Sequence, residues 1–289
     1  MVGTSNAALI VTATAQIDAA IASDSLPNES RILDKHGLLL RDSQPQIAGR
    51  YLEEPVWIGG SDLHPVDSMY TAPHQRHLPS LMADLDVWMQ RSNVPALVHA
   101  AIAHAQFETI HPFVDGNGRT GRALIHTVLR HRGLTVNGTL PLSAGILRSP
   151  GSYFDALTSY RAGDIAPIVQ LVAEAALRAT KLGAWLGKEI ADVRASWEHQ
   201  VTARHDATDW RILDVLIRQP LIDAPPPRLA AELSVTPANT RKALERLEAD
   251  GVVLSAQVAK NRHAWQAPDI LDLLDEFAEK ADRRETPAG

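Results

Sequence analysis

The chain has 289 residues, a formal net charge of −6, 45% hydrophobic residues and no cysteine. That length exceeds one ordinary domain, and that apolar content can bury a sizeable core, so two domains are expected. The lack of cysteine excludes disulfides and thiolate metal sites and suits a reducing cytoplasm, the expected location; the negative balance excludes nucleic-acid binding through overall charge.

In chain order, residues 5–23 are alanine-rich at helical spacing, and no basic segment precedes the apolar run 7–15, so a helix is expected there and not a signal peptide. No apolar run approaches the roughly 18 residues that span a bilayer, so no membrane partner is expected. A helix is expected at 28–41. Paired glycines and short extended runs around Trp57-Ile-Gly-Gly60 and Met69-Tyr-Thr71 then predict a hairpin. His64, His74 and His77 near it read as exposed loop histidines. Helices follow at 78–91, 95–110, 119–132, 151–161, 164–182 and 182–203. The pairs His99 with His104 and His126 with His131 are five apart, so they do not share a helix face as metal ligands would; they read as packing or surface residues.

A composition change at 204–209 separates an expected first domain, 1–203, from a second, 204–289. The second shows an amphipathic helix at 209–219, a break at Pro225-Pro-Pro227 and a short helix at 228–233. Thr236 as N-cap and Pro237 behind it open a helix running to Asp250, closed by Gly251. Val252-Val-Leu254 and Ala264-Trp265 can pair as strands around a Lys260-Asn-Arg262 tip. This pattern predicts a winged helix-turn-helix domain with a C-terminal helix. Asn239, Arg241, Lys242 and Arg246 can face a DNA groove, with Lys260 or Arg262 on phosphate. A docking or dimerisation platform is the competing reading, because the local excess of positive charge is thin.

The most informative segment is His111-Pro-Phe-Val-Asp-Gly-Asn-Gly-Arg-Thr-Gly-Arg122. It puts a base, a metal-binding carboxylate, a glycine-flanked amide cradle and two arginines into twelve residues. Gly116 and Gly118 permit backbone angles that let N–H groups around Asn117 turn towards one anion, and the following helix aims its positive dipole end at the same point. Chemistry on a polyphosphate needs those parts. Glu108-Thr-Ile-His111 also matches the Glu-x-x-His of di-iron bundles, but those need a second copy, and the chain has none.

All nine specified positions match the signature that the segment resembles, that of the Fic family: His-Pro-Phe-x-(Asp/Glu)-Gly-Asn-Gly-Arg-x-x-Arg. Upstream, 32–40 with its central His36 resembles the family's helix, and Ala48-Gly-Arg-Tyr51 and Val56-Trp-Ile-Gly-Gly60 resemble the segment leading into its β-hairpin flap; Leu52 stands where the family has arginine. The resemblance implies a mainly α fold, a Fic-type helical bundle with a small β-hairpin flap over the site. It implies His111 as general base, Asp115 as ligand of Mg²⁺ on the phosphates of ATP, and Gly116, Asn117 and Gly118 as anion hole. Arg122 would grip the γ-phosphate, Arg119 would contact phosphate or brace the loop, and Phe113 would plug into the core.

The implied reaction is transfer of AMP from ATP to a Ser, Thr or Tyr hydroxyl of a target protein or of the chain itself, releasing pyrophosphate. Gly116, Gly118 and Arg119 match neither the kinase-like nor the phosphocholine-transferring loop variant. The alternative is a DNA-binding regulator that carries a nucleotide-binding Fic fold. Family members often restrain themselves with a (Ser/Thr)-x-x-x-Glu-(Gly/Asn) helix. Here the nearest match, Ser25 to Ser30 with Glu29, ends in serine and contains Pro27. The expectation is a chain without its own inhibitory glutamate, active as it stands or restrained by a separate partner or an upstream segment.

Overall fold

A computed structural model describes residues 28–41, 43–61, 63–135, 142–146, 149–224, 227–259 and 262–282; the helix expected at 5–23 lies outside them. The chain divides into two compact units between residues 180 and 181. The first contains α1 (Glu29–Leu40), a two-stranded hairpin of β1 (Trp57–Ile58) and β2 (Tyr70–Thr71), α2 (Leu78–Met89), α3 (Ala96–Ile110), α4 (Asn117–His131), α5 (Leu142–Ile146) and α6 (Pro150–Arg161). The helix α7 (Ala166–Gln200) contributes residues to both units. Two helices are expected at 164–182 and 182–203, but this is one continuous helix. Gly183 and Gly187 have open space around them, and an isolated glycine weakens a helix by only about 1 kcal/mol relative to alanine.

The centre of the first unit is α3. Its alanines at 100, 101, 103 and 105 and Phe107 are fully buried, so the helix is covered on most of its circumference and packs closely on α4. Ile32, Leu78, Met82, Leu85, Leu124, Ile125 and Val128 from α1, α2 and α4 complete that core. Asn28 caps α1 by accepting the Arg31 N–H at 3.0 Å. The hairpin register pairs Trp57 with Thr71 and Ile58 with Tyr70. His99 and His104 are buried packing residues. Arg132 donates to Nδ1 of His99 at 3.1 Å, so its Nε2 carries the proton towards the Trp88 carbonyl at 3.0 Å. His64 and His74 are exposed loop residues, and His77, also exposed, ends a short 3-10 helix, Gln75–His77.

The second unit has its own core around Trp197, Trp210, Leu213, Leu216, Leu244, Leu247 and Trp265. It contains α8 (Thr208–Arg218), β3 (Leu221–Ala224), α9 (Pro227–Glu232), α10 (Pro237–Ala249), β4 (Leu254–Ala259), β5 (Arg262–Gln266) and α11 (Pro268–Asp282). The three strands form an antiparallel sheet in the order β3-β5-β4. Thr236 caps α10, accepting the Asn239 N–H. Val252 and Val253, expected in a strand, are buried core residues before it, and the strand starts at Leu254.

Candidate active site

The loop between α3 and α4 is held from three directions. At the C-cap of α3, His111 adopts the left-handed region (φ 49°, ψ 59°) while its N–H still reaches the Phe107 carbonyl at 2.8 Å. The proline that follows disfavours the right-handed helical region at His111, so the helix stops here. Asn117 closes the loop on itself: Oδ1 accepts the Phe113 N–H at 3.0 Å and Nδ2 donates to the Phe113 carbonyl at 2.7 Å. Phe113 is fully buried and its ring lies flat on His36, 3.7 Å away. Nδ1 of His36 accepts the Gly49 N–H at 2.9 Å, so Nε2 must carry the proton donated to the Asp115 carbonyl, also at 2.9 Å. Burial lowers the His36 pKa and favours this neutral form. The Leu52 N–H donates to the Pro112 carbonyl at 2.9 Å, so the backbone anchors the segment despite the missing arginine.

Gly116 caps the N-terminus of α4 at φ +81°, and a Cβ there would come 3.3 Å from His36 Nε2. A side chain would therefore meet both a strained backbone and the strut that holds the loop. The helix starts at Asn117, two residues before the sequence expectation of Arg119, and no side chain caps its first N–H groups. Those groups and the helix dipole favour an anion. Asn117 can contribute only its backbone, because its side chain is bonded to Phe113. At Gly118 a Cβ would lie 3.1 Å from Arg122 Nη1, so glycine lets that guanidinium approach the cradle.

The charged side chains sit around this helix start. Asp115 is about half exposed, with Oδ2 receiving Gln44 Nε2 at 2.7 Å and Arg119 Nη2 at 3.2 Å. Desolvation alone would raise its pKa, but the Gly116 N–H, Gln44, Arg119 and His36 outweigh it and hold the carboxyl below its ordinary value. The His111 ring is nearly buried; desolvation first, and Arg161 as well, lower its pKa to about 4, although the Glu108 backbone opposes this. At neutral pH the imidazole is uncharged. Its Nδ1 lies 3.8 Å from Glu108 Oε2. Glu108 is 5% exposed, and burial pushes its pKa up to about 7 against the pull of Arg122 and Arg161.

Four participants around this loop were not read from the sequence. Gln44 steadies Asp115; Tyr153 bonds His104 Nε2 at 2.9 Å; the Arg161 guanidinium lies 3.5 Å from the Tyr70 ring centroid; and Tyr70 donates its hydroxyl to the Thr109 carbonyl. None carries a local signal, because each acts across a long sequence separation. Among the described residues, no three His, Asp or Glu side chains gather as a metal cage. Glu29, the nearest match to an inhibitory glutamate, accepts the Tyr51 hydroxyl at 2.7 Å; residues 25–27 of that segment lie outside the described residues.

Residues 26–129 match the Fic/DOC family model. Over 164 residues, 55% of the chain, it is 30% identical to an Aedes aegypti protein named protein adenylyltransferase Fic, and it is 28% identical over 162 residues to the protein of that name from Drosophila mojavensis. The chain spans only 30% and 29% of the lengths of those two relatives. A Fic family protein from Desulfovibrio desulfuricans G20 shares the fold, with a TM-score of 0.51 at 24% identity, covering 91% of this chain and 75% of that one. No helix among the described residues is long and apolar enough to cross a membrane.

Proposed function

We propose that the protein is an adenylyltransferase that moves AMP from magnesium ATP to a Ser, Thr or Tyr hydroxyl of a target protein or of itself, releasing pyrophosphate. The observation that carries this reading is an uncharged, nearly buried histidine at the start of the loop that leads into an uncapped helix N-terminus. His111 Nε2 takes the hydroxyl proton as the oxygen attacks the α-phosphorus, a contribution typically worth about 10²–10⁴ in rate. The bond from that phosphorus to the bridging oxygen breaks, and its electrons leave with pyrophosphate. The donors fit the substrate. The free N–H groups of Asn117 and Gly118 and the α4 dipole match phosphate oxygens, and Arg122 supplies a guanidinium for the γ-phosphate. Asp115 is a single ionised carboxylate of the kind that shares magnesium with substrate phosphates, and the metal would neutralise charge on them.

For the second unit, α8, α9 and α10 followed by the β4–β5 hairpin support a winged helix-turn-helix. We read it as a docking platform for the target rather than a DNA reader. Of the side chains expected to face a groove, Arg246 is committed to buried Asp209, and Arg241 lies 3.7 Å from Glu245. With Glu29 bonded to Tyr51, the chain is active as it stands or restrained by a separate partner or an upstream segment. Incubating a cell extract with the protein and isotopically labelled ATP, followed by mass spectrometry, tests the reading. AMP-bearing peptides should appear with wild type and be absent with His111→Ala; equal labelling by both would refute the role of His111.

A further inference from the structure

We infer that Glu108 is a positioning residue for His111: its carboxylate holds the imidazole with the proton on Nδ1, and steadies the imidazolium formed when Nε2 accepts the substrate proton. This rests on the reading of His111 as the base, and it gives Glu108 a role other than the di-iron ligand that its spacing from His111 resembles.

The geometry has three parts. Glu108 and His111 are three apart at the end of α3, and the left-handed backbone at His111 brings Nδ1 to 3.8 Å from Oε2. Oε1 of Glu108 is buried without a hydrogen-bond partner, and Nδ1 of His111, buried as well, makes no well-formed hydrogen bond, although the Glu108 backbone acts on the ring. A buried polar group left unmatched is costly, so a carboxylate and an imidazole that each carry one such atom, 3.8 Å apart through Oε2, are a poised pair. Catalytic hydrogen bonds are often long without substrate and tighten in the reacting complex. The third part is the clearance at Gly121, where a Cβ would come 2.4 Å from Glu108 Oε1, so α4 has glycine where the carboxylate needs room.

The titratable and charged groups around Glu108 are His104 and His111 from its own helix or its cap, Arg122 from α4, and Tyr153 and Arg161 from α6; Arg161 in turn stacks on Tyr70 of β2. Tyr153 and His104 are neutral near pH 7, the first pushed up by burial and the second down to about 4. Two arginines therefore favour an ionised Glu108 and burial opposes it, which places the change of charge near neutrality. Below that point the carboxyl is neutral and cannot stabilise an imidazolium; above it, it can.

Glu108→Gln keeps the shape and removes the titration. In wild type, kcat should rise with pH through an inflection near 7, and ring-nitrogen NMR shifts of His111, assigned with His111→Ala, should inflect at the same pH without the ring becoming protonated. In Glu108→Gln both inflections should vanish, with kcat at about pH 8 at least about tenfold lower and KM for ATP within about twofold, since an interaction made only in the transition state lowers kcat alone. Wild-type kcat at that pH in Glu108→Gln, or persistence of either inflection, would overturn the assignment. A residue that merely supported the fold would move neither inflection. If wild type transfers no AMP but the NMR inflection is present and disappears in Glu108→Gln, the pairing holds and the proposed reaction fails.

Discussion

Replacing Arg246 by alanine should unfold the second unit far below its wild-type temperature, even though Arg246 is half exposed. Its Nε and Nη2 reach Oδ1 and Oδ2 of Asp209 at 2.9 and 2.6 Å, and the Asp209 side chain is fully buried. Removing one partner of a buried ion pair strands the other charge and typically destabilises by about 3–5 kcal/mol. Because water reaches the arginine side of this pair, the lower end applies, about 3 kcal/mol. For a unit of this size each kcal/mol moves the midpoint by about 4–8 °C, so calorimetry should show a fall of roughly 12–24 °C in the transition that belongs to it. Arg241→Ala with Lys242→Ala should leave that transition within about 2 °C, as expected of exposed side chains. Asp209→Asn combined with Arg246→Met should recover much of the loss, because the stranded charge is gone. A fall of under about 2 °C for Arg246→Ala would refute the structural role and return Arg246 to the surface available for DNA.

Asp115→Ala should weaken magnesium-dependent nucleotide binding by at least about tenfold in calorimetry, with less effect when the metal is chelated; equal affinity in both proteins would remove Asp115 as the ligand. Glu29→Gly should leave transfer rate and ATP affinity unchanged, since its carboxylate is bonded to Tyr51, whereas a large gain in both would mark Glu29 as inhibitory. Glu108 also predicts a pH dependence of stability. Its folded pKa is raised, from 4.5 to about 7, so its stabilisation relative to the unfolded chain is present below the lower value and lost as pH rises through the higher. Glu108→Gln should therefore gain stability over wild type by about 3 kcal/mol at about pH 8 in urea unfolding and show little gain at about pH 4; a pH-independent difference would contradict the buried ionisation.

The loop was legible because its determinants are local. Gly116 supplies the left-handed turn, Pro112 ends α3, and the helix that follows needs only its own spacing. The capping of α10 by Thr236 was readable for the same reason, since its partner is three residues away. What escaped acts at a distance. β3 runs straight into a proline run, and it becomes a strand only by pairing Ile222 with Trp265. Arg246 looked like a groove-facing base on its own helix, because nothing near it in sequence reveals Asp209, 37 positions earlier. Gln44 on Asp115, and Arg161 beside Glu108 and Tyr70, likewise arise only when the segment after α1, the end of α3 and α6 come together.

The proposed reaction transfers AMP, and not a terminal phosphate, with His111 as the base. The direct measurement is to incubate the purified protein with magnesium and ATP labelled either at the α-phosphorus or at the γ-phosphorus, with a cell extract as acceptor, and to follow protein-bound label. Label should arrive from the α position alone, with stable incorporation by wild type and none by His111→Ala, although that variant still binds ATP. Label arriving from the γ position, or α-label incorporated equally by His111→Ala, would contradict the proposed reaction.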